Sequence, residues 1–232
     1  FAQLIQHNRI ITQLKIDRCK VSSQGMVNIL STLVHNTTLT SFTLAGSFLY
    51  PTAAHILAQV LSMNTSLTEL SIYRCRTLSP NDVTLAKIQS FKSTDLIDIK
   101  LFRAGGEAFS DMIRLNSTIT QVDISWNRMG PKAMQDILNA IASNSTIRTL
   151  NIGGNLVGSE CTSTLTHMLA HNSALTDLNL WLETKERNEW DTFVNGLRHN
   201  RSITKIRLQH DNITVDELCS LVSMLTDSNH PS

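Results

Sequence analysis

The feature that most constrains the fold of this 232-residue chain is an asparagine that recurs at intervals of 28 residues. The asparagines form two groups with this spacing, first Asn8, Asn36 and Asn64, then Asn116, Asn144, Asn172 and Asn200. An apolar Leu-x-x-Leu-x-Leu pattern begins three residues after each of them, and an eighth copy occurs at Leu96, Ile99 and Leu101. Its last two apolar positions are two residues apart, as in a strand with one buried face. This period predicts a stack of eight strand-containing repeats.

The residues before each asparagine predict a helix. Apolar residues lie three and seven positions before it, so both fall on one helical face. Because strands stack about 4.8 Å apart and helices need about 8–10 Å, the stack is expected to curve. The predicted fold is an α/β solenoid with parallel strands on the concave side and helices on the convex side. We expect the asparagine, just past each helix, to adopt the left-handed conformation that commonly ends helices.

The repeat resembles the leucine-rich repeat family, in its ribonuclease-inhibitor-like class with 28-residue repeats. Segments 119–127 and 147–155 match the family pattern Leu-x-x-Leu-x-Leu-x-x-Asn/Cys best. The resemblance implies one domain over residues 1–232, with about eight repeats in a right-handed β-α superhelix shaped like a horseshoe. It also implies that the last residue of the pattern bonds to the backbone of the turn in four repeats, at Cys19, Cys75, Asn127 and Asn155. Four other repeats depart from the pattern there, with Ser47, Ala104, Glu183 and Asp211.

Two irregularities qualify this periodicity. The step from Leu96 to Ile119 is 23 residues, which we interpret as a shortened surface loop at 102–106. The alternative is a local change of curvature that exposes Phe102. Phe1 aligns with a helical core position, so we expect the chain to be a section of a longer protein.

Composition and charge disfavour several classes of protein. The net charge of +1 gives no overall attraction to nucleic acid or membrane. No apolar run approaches the roughly 18 residues of a membrane span, and no signal peptide is recognisable. Cys19 and Cys75 lie two strands apart, roughly 9–10 Å, which exceeds the reach of a disulfide. We therefore expect free thiols and an intracellular, cytoplasmic location, or the host cytoplasm for a delivered bacterial effector.

No residue set predicts catalysis, a cofactor or a metal. Four histidines precede periodic asparagines and would lie a helix-packing distance apart, too far to share zinc. Cys161 occupies a small core position, and catalytic motifs are absent from the sequence. We interpret the N-glycosylation patterns that begin at periodic asparagines as structural. The chain is predicted not to be an enzyme and to bind no small-molecule substrate, and the sequence does not indicate its oligomeric state.

The scarce aromatic residues, 5% of the chain, indicate a binding surface. Strand alternation predicts that the two residues after each apolar pattern face the concave side. Four aromatic residues and two arginines fall in those columns: Tyr73, Arg74, Phe102, Arg103, Trp126 and Trp181. Such residues dominate binding hot spots, so we predict aromatic anchors with arginines that pair to acidic groups. The neighbouring columns mix charges of both signs, which favours a protein over a nucleic acid.

The predicted function is therefore a protein–protein interaction scaffold that binds a protein on its concave face. The resemblance offers three settings: an intracellular innate immune receptor, a bacterial effector, or a small-GTPase regulator of the Ran GTPase-activating type. The last would accelerate GTP hydrolysis by a partner GTPase. A purely structural spacer is the remaining alternative, and its aromatic columns would be buried under neighbouring loops.

Overall fold

The computed structural model of the chain describes residues 2–47, 51–75, 109–127, 129–155, 157–184, 186–210 and 213–226, in which strands and helices alternate. The strands are β1 (Gln13–Asp17), β2 (Ser41–Ala45), β3 (Glu69–Tyr73), β4 (Gln121–Asp123), β5 (Thr149–Asn151), β6 (Asp177–Trp181) and β7 (Lys205–Gln209). The helices are α1 (Ala2–Gln6), α2 (Ser23–Thr32), α3 (Pro51–Met63), α4 (109–115), α5 (Pro131–Ser143), α6 (Thr162–His171), α7 (Arg187–His199) and α8 (Val215–Thr226). A 3₁₀ turn at Ser159–Cys161 precedes α6.

The strands form one parallel sheet in chain order from β1 to β7. The pairing repeats the sequence period, since Gln13 pairs with Ser41, and Ser41 pairs with Glu69. Burial alternates along β3 and β6, so one face of the sheet lies against the core and the other is exposed. The α/β class and the parallel arrangement are confirmed and fit a leucine-rich-repeat type of fold. The horseshoe curvature and the ribonuclease-inhibitor-like class stay predictions.

The core lies between the sheet and the helices, as one cluster of apolar side chains from Ile5 to Met224. Both layers contribute to it, as Leu70 of β3 and Ile137 of α5 illustrate. Neighbouring helices contact each other, α1 with α2, α2 with α3, α5 with α6, α6 with α7, and α7 with α8. Trp190 on α7 is fully buried and donates its indole N–H to the Ser220 hydroxyl at 2.8 Å. This bond fastens α7 to α8, a role that the repeat pattern did not reveal.

The sheet corrects one prediction about the interrupted period. β3 and β4 are hydrogen-bonded neighbours, and Glu69 pairs with Gln121, 52 residues later in the chain. A strand at Leu96–Leu101 therefore does not lie between them, and the prediction that it does is wrong. The chain carries 24 more residues between β3 and β4 than the period of 28 requires. The shortened loop that the sequence predicts at 102–106 lies outside the described residues. Residues 76–108, which include the predicted strand, lie outside the described residues.

The periodic asparagines form a ladder along the edge of the sheet where the strands begin. The Nδ2 of Asn144 donates to the carbonyl of Ile113, 31 residues earlier, at 2.8 Å. Its Oδ1 accepts from the backbone N–H groups of Thr146 at 2.9 Å and Ile147 at 2.8 Å. The same donation to the preceding repeat is made by Asn36, Asn64, Asn116, Asn172 and Asn200. Each asparagine thus pairs buried backbone groups of two repeats, which would be costly to leave unpaired.

The geometry of this asparagine ladder tests two interpretations made from the sequence. Asn144 and Asn200 have extended backbones, with φ of −78° and −76°, so the predicted left-handed conformation is wrong. The position favours asparagine because its side-chain amide can donate and accept hydrogen bonds at the same time. The structural interpretation of the glycosylation patterns is confirmed for five of them, because their amides are buried: Asn36, Asn64, Asn116, Asn144 and Asn200.

Candidate functional site

The turn that follows a strand places one residue in the left-handed backbone region. Five repeats share this geometry, with φ between 50° and 68°, at Arg18, Gly46, Arg74, Trp126 and Gly154. The conformation suits glycine but costs other residues roughly 1–2 kcal/mol. Arg74 and Trp126, two of the predicted site residues, are thus presented from a strained turn.

A second ladder holds these turns in place, along the edge where the strands end. The Nδ2 of Asn127 donates to the carbonyl of Ile72 in the preceding repeat at 2.6 Å, and its Oδ1 accepts from the N–H of Cys75 at 3.0 Å. Asn155 in turn accepts from the N–H of Asn127 at 3.1 Å. Because Asn127 and Cys75 directly follow Trp126 and Arg74, this ladder fixes the backbone that carries the site.

The roles that the resemblance implied at this position are confirmed. Side chains bond to backbone carbonyls of the turns at Cys19, Cys75, Asn127 and Asn155. Ser47 departs from the family pattern but fills the same role, since its hydroxyl donates to the Ala45 carbonyl at 3.0 Å and accepts from the Cys19 N–H at 3.3 Å. Ala104 and Asp211 lie outside the described residues.

The Trp126 side chain lies directly over Gly154 of the next repeat. A Cβ atom at Gly154 would be 2.4 Å from Cδ2 of the indole, a distance that real contacts do not reach. Arg18 lies over Gly46 in the same way, with 2.8 Å to its Cγ. The glycines therefore leave room for a side chain that reaches across from the preceding repeat.

Trp126 also meets Trp181 edge to face, with ring centroids 5.8 Å apart and an interplanar angle of 66°. The two residues belong to repeats two strands apart, roughly 9–10 Å. They come together above the Gly153–Gly154 pair that follows β5. Arg74 belongs to the repeat before that of Trp126, and its guanidinium carbon lies 6.0 Å from the centre of the Trp126 ring. We call Arg74, Trp126 and Trp181 the tryptophan cluster.

The tryptophan cluster is packed and still accessible. Trp126 remains 46% exposed, Trp181 is half-buried, and Arg74 is exposed. In the ranges that the structure covers, Arg74 makes no ion pair. An aromatic pair of this kind contributes about 0.5–1.5 kcal/mol beyond burial, so the rings are held in position before any partner arrives.

Tyr73 interacts instead with Lys15 of β1, two strands away, through a side-chain hydrogen bond. That hydrogen bond, with the 3.3 Å ion pair between Lys15 and Asp17, raises the pKa of the lysine. The structure thus brings three of the six predicted site residues into contact and separates Tyr73 from them. Phe102 and Arg103 lie outside the described residues.

A polar groove adjoins the tryptophan cluster on the exposed face of the sheet, with a volume of about 250 Å³. Its centre is a row of side chains from three neighbouring strands, Asp123, Asn151 and Asn179. Asn151 donates to Asp123 at 3.0 Å and accepts from the N–H of Gly153 at 3.2 Å. The Oδ1 of Asn179 is shielded from solvent and has no hydrogen-bond partner among the described residues.

Charges at the ends of the groove are partly paired. The Asp177 carboxylate forms ion pairs with Arg207 at 2.9 Å and with Lys205 at 3.1 Å. Glu69 accepts from the Gln121 amide at 3.3 Å. Within the described ranges, neither Glu69 nor Asp123 has a cationic partner. The groove therefore has more acceptor groups than donors.

The cysteines and histidines fit structural roles. All four cysteines are free, and burial raises the pKa of the Cys75 and Cys161 thiols to about 11, so both stay protonated at neutral pH. The Nδ1 atoms of His171 and His199 bond to the carbonyl four residues earlier in their helices. The part of the chain covered by the structure holds no group of side chains suited to a metal ion. No helix in that part is long and apolar enough to cross a membrane.

Sequence reasoning missed the glycines and the amide row of this site. The two consecutive glycines at 153 and 154 lie in the same columns as Trp126 and Trp181, and this is the signal that could have predicted a gap between the rings. Asn151 and Asn179 are adjacent in one column of the exposed face, but the unpartnered oxygen of Asn179 depends on side-chain torsions that periodicity does not encode.

Comparison with known proteins adds likenesses of fold only. No family model matches the chain, and no curated protein gives a significant match. Among solved structures, the chain is similar to the actin-binding site 2 (ABS2) of leiomodin-1, at 17% identity and a TM-score of 0.44, over 57% of this chain and 75% of that one. It is also similar to the tropomodulin C-terminal domain of Caenorhabditis elegans, at 8% identity and a TM-score of 0.38, over 96% of this chain and 87% of that one. With both scores below 0.5, neither likeness bears on what this chain binds.

Proposed function

We propose that this chain is a protein-interaction scaffold that binds a protein partner on the exposed face of its sheet, with the tryptophan cluster as the anchor. The observation that carries the proposal is Trp126 itself. Its backbone is strained, its ring is packed on Gly154 and Trp181, and nearly half of its surface is still open to solvent. Strain kept at an exposed, ordered aromatic residue is typical of binding sites.

Arg74 indicates which chemical group of the partner should lie beside the indole rings. Its guanidinium is exposed, and it has no carboxylate partner in the described part of the chain. An apolar or aromatic side chain on the tryptophans, flanked by an acidic group at Arg74, would bury the anchor and pair the charge. The exposure of Trp126 disfavours the spacer alternative, in which neighbouring loops would bury the aromatic columns.

The proposal includes the finer features that the sequence predicts. The sheet is taken to be the concave side of a curved solenoid of the ribonuclease-inhibitor-like class, because strands stack more closely than helices. The protein is taken to work inside cells, with no catalytic, cofactor or metal role.

The test begins with capture of partners by the wild-type chain and by the Trp126→Ala/Trp181→Ala double variant. A protein retained by the wild-type chain is then purified, and its affinity for the wild type and for the double variant is measured by calorimetry. Loss of a hot spot costs about 2 kcal/mol or more, so we expect affinity to fall at least about thirtyfold.

The matched control is Leu115→Ala, which removes a side chain that is 69% exposed at the opposite edge of the sheet. It should leave the affinity unchanged. The proposal fails if the double variant, shown by circular dichroism to be folded, binds its partner as tightly as the wild type does.

A further inference from the structure

The groove beside the tryptophan cluster has the size of a side chain. Its volume of about 250 Å³ is below the roughly 300–1,000 Å³ of pockets that enclose drug-sized ligands. It opens on the same face of the sheet as Trp181, and Asn179 lies two residues before Trp181 in β6. Two residues of strand span about 6.6 Å, so one long side chain can touch both the indole and the amide row.

The polar groups of the groove select the chemistry of that side chain. Its lining contains three carboxylates, from Glu69, Asp123 and Asp177, against one guanidinium, that of Arg207. Arg207 and the nearby Lys205 are both bound to Asp177, so neither offsets the charge of the other two carboxylates. The shielded Oδ1 of Asn179 adds an acceptor that has no partner within the described part of the chain. The groove therefore favours a positively charged hydrogen-bond donor.

The neighbouring apolar surface fits the rest of such a residue. Lysine and arginine pack their aliphatic stems along apolar surface while the charged head reaches polar groups. Trp181 lies two residues beyond Asn179 on the same face of β6, and its half-buried indole provides this surface. An aromatic ring also attracts a cation. An anionic ligand such as a nucleic-acid backbone would need a concentrated basic stripe, whereas the groove carries an excess of acids.

We propose that the groove receives a lysine or arginine side chain of the protein partner, with its stem on Trp181 and its head at Asp123 and Asn179. The inference rests on the proposed function, and it specifies the partner further. The binding segment would carry a basic residue beside the apolar group that covers the tryptophan cluster and the acidic group that faces Arg74.

The first experiment uses small probes and needs no partner. The ¹⁵N-labelled chain is titrated with N-acetyl-arginine amide, with its neutral isostere N-acetyl-citrulline amide, and with N-acetyl-glutamate amide. We expect arginine to shift the NMR signals of the Asn151 and Asn179 side-chain amides and of the Trp181 indole. The citrulline probe should shift them far less, and the effect of arginine should weaken with added salt.

Any of three results overturns the inference. Equal shifts with citrulline would mean that the groove accepts any hydrogen-bond donor without regard to charge. Larger shifts with glutamate would mean an anionic occupant held by Arg207 and Lys205. Shifts confined to residues outside the groove would likewise contradict it.

The second experiment uses the partner obtained in the test of the proposed function. Asp123→Asn removes the charge and nearly keeps the shape. Glu69→Gln is a second variant, at a side chain that accepts a hydrogen bond from Gln121. Each should weaken binding roughly tenfold, as expected for the loss of a hydrogen bond to a charged group. The control is Asp111→Asn, the same change on α4, where Asp111 pairs with Arg114.

The two proposals fail in different ways. If the tryptophan variants lose binding while Asp123→Asn and Glu69→Gln bind as the wild type does, the cation site is overturned and the proposed function stands. If the tryptophan variants also bind normally, both are overturned.

Discussion

The two edges of the sheet are built on different principles. Where strands begin, the same residue performs the same task in each repeat, from Asn36 to Asn200, and its amide always reaches the preceding repeat. Where strands end, the ladder residue changes from Cys19 to Ser47, Cys75 and Asn127, and the residue before it is either a glycine or a large side chain. The first edge is uniform because it holds the repeats together. The second edge varies from repeat to repeat, and it carries the candidate site.

The largest predicted effect on stability comes from the same substitution, asparagine to serine, made separately at each edge of the sheet. Asn144→Ser cannot reach the Ile113 carbonyl in the preceding repeat, and it leaves buried backbone groups unpaired. We expect the free energy of unfolding to fall by about 3 kcal/mol. Asn127→Ser should cost less, about 2 kcal/mol. The Ile72 carbonyl loses its donor, but the serine hydroxyl can still accept from the Cys75 N–H, as Ser47 accepts from the Cys19 N–H.

Urea denaturation of both variants measures the difference. Equal losses would contradict the idea that the strand-end edge tolerates variation better than the strand-start edge.

A smaller effect concerns the space beneath the tryptophan cluster. In Gly154→Ala the new Cβ would collide with the Trp126 indole, at a backbone with φ of +68° that disfavours side chains. We expect a loss of about 2 kcal/mol and a changed tryptophan fluorescence, because the two rings must separate.

Gly130→Ala is the matched control, since a Cβ there meets nothing within 4 Å, and it should cost less than about 1 kcal/mol. If Gly154→Ala behaved like this control, the glycine gap would have no role in positioning the rings.

The smallest predicted effect is a difference in how the two edges of the sheet respond to a change of pH. At the strand-end edge α8 begins with a capping pair in which Glu217 accepts from the Thr214 N–H and hydroxyl, both at 2.8 Å. The backbone hydrogen bond from Thr214 lowers the pKa of Glu217. Its contribution is therefore present above the carboxyl's ordinary pKa and is lost as pH falls through the lower value of the folded state. The asparagines of the opposite edge do not titrate.

Amide hydrogen exchange at Leu218, whose N–H bonds to the Thr214 carbonyl, reports on this cap. Its protection in the wild type should decrease in acid relative to Glu217→Gln, while that of Ile147 at the strand-start edge should not. Identical pH profiles in the wild type and the variant would refute the assignment.

Much of the fold follows from spacing alone, because burial of one strand face and one helix face imposes the apolar period. The error at Leu96–Leu101 is instructive. That segment has the apolar spacing, but Ser93 stands where the ladder asparagine would be, and the next asparagine comes at Asn116. The hydrophobic spacing alone therefore placed a strand wrongly between β3 and β4, whereas the asparagine precedes each of the paired strands from β1 to β7.

The site was predictable in part for a related reason. The columns of the exposed face follow from strand alternation, so Arg74, Trp126 and Trp181 could be grouped from the sequence. The direction of each side chain could not, because it depends on neighbours such as Lys15, with which Tyr73 interacts, and Gly154, which leaves room for Trp126.

Both ladders also share a polarity along the chain. The amide of a later repeat donates to a carbonyl of an earlier one, as Asn144 does to Ile113 and Asn127 does to Ile72. A ribosome releases the earlier repeat first, so each emerging repeat carries the donors that complete its predecessor. We expect translation-arrested chains of increasing length to gain protease resistance in steps of one repeat, whereas a single gain at full length would contradict this. The hydrogen bonds between repeats can therefore form in the same order in which the repeats are synthesised.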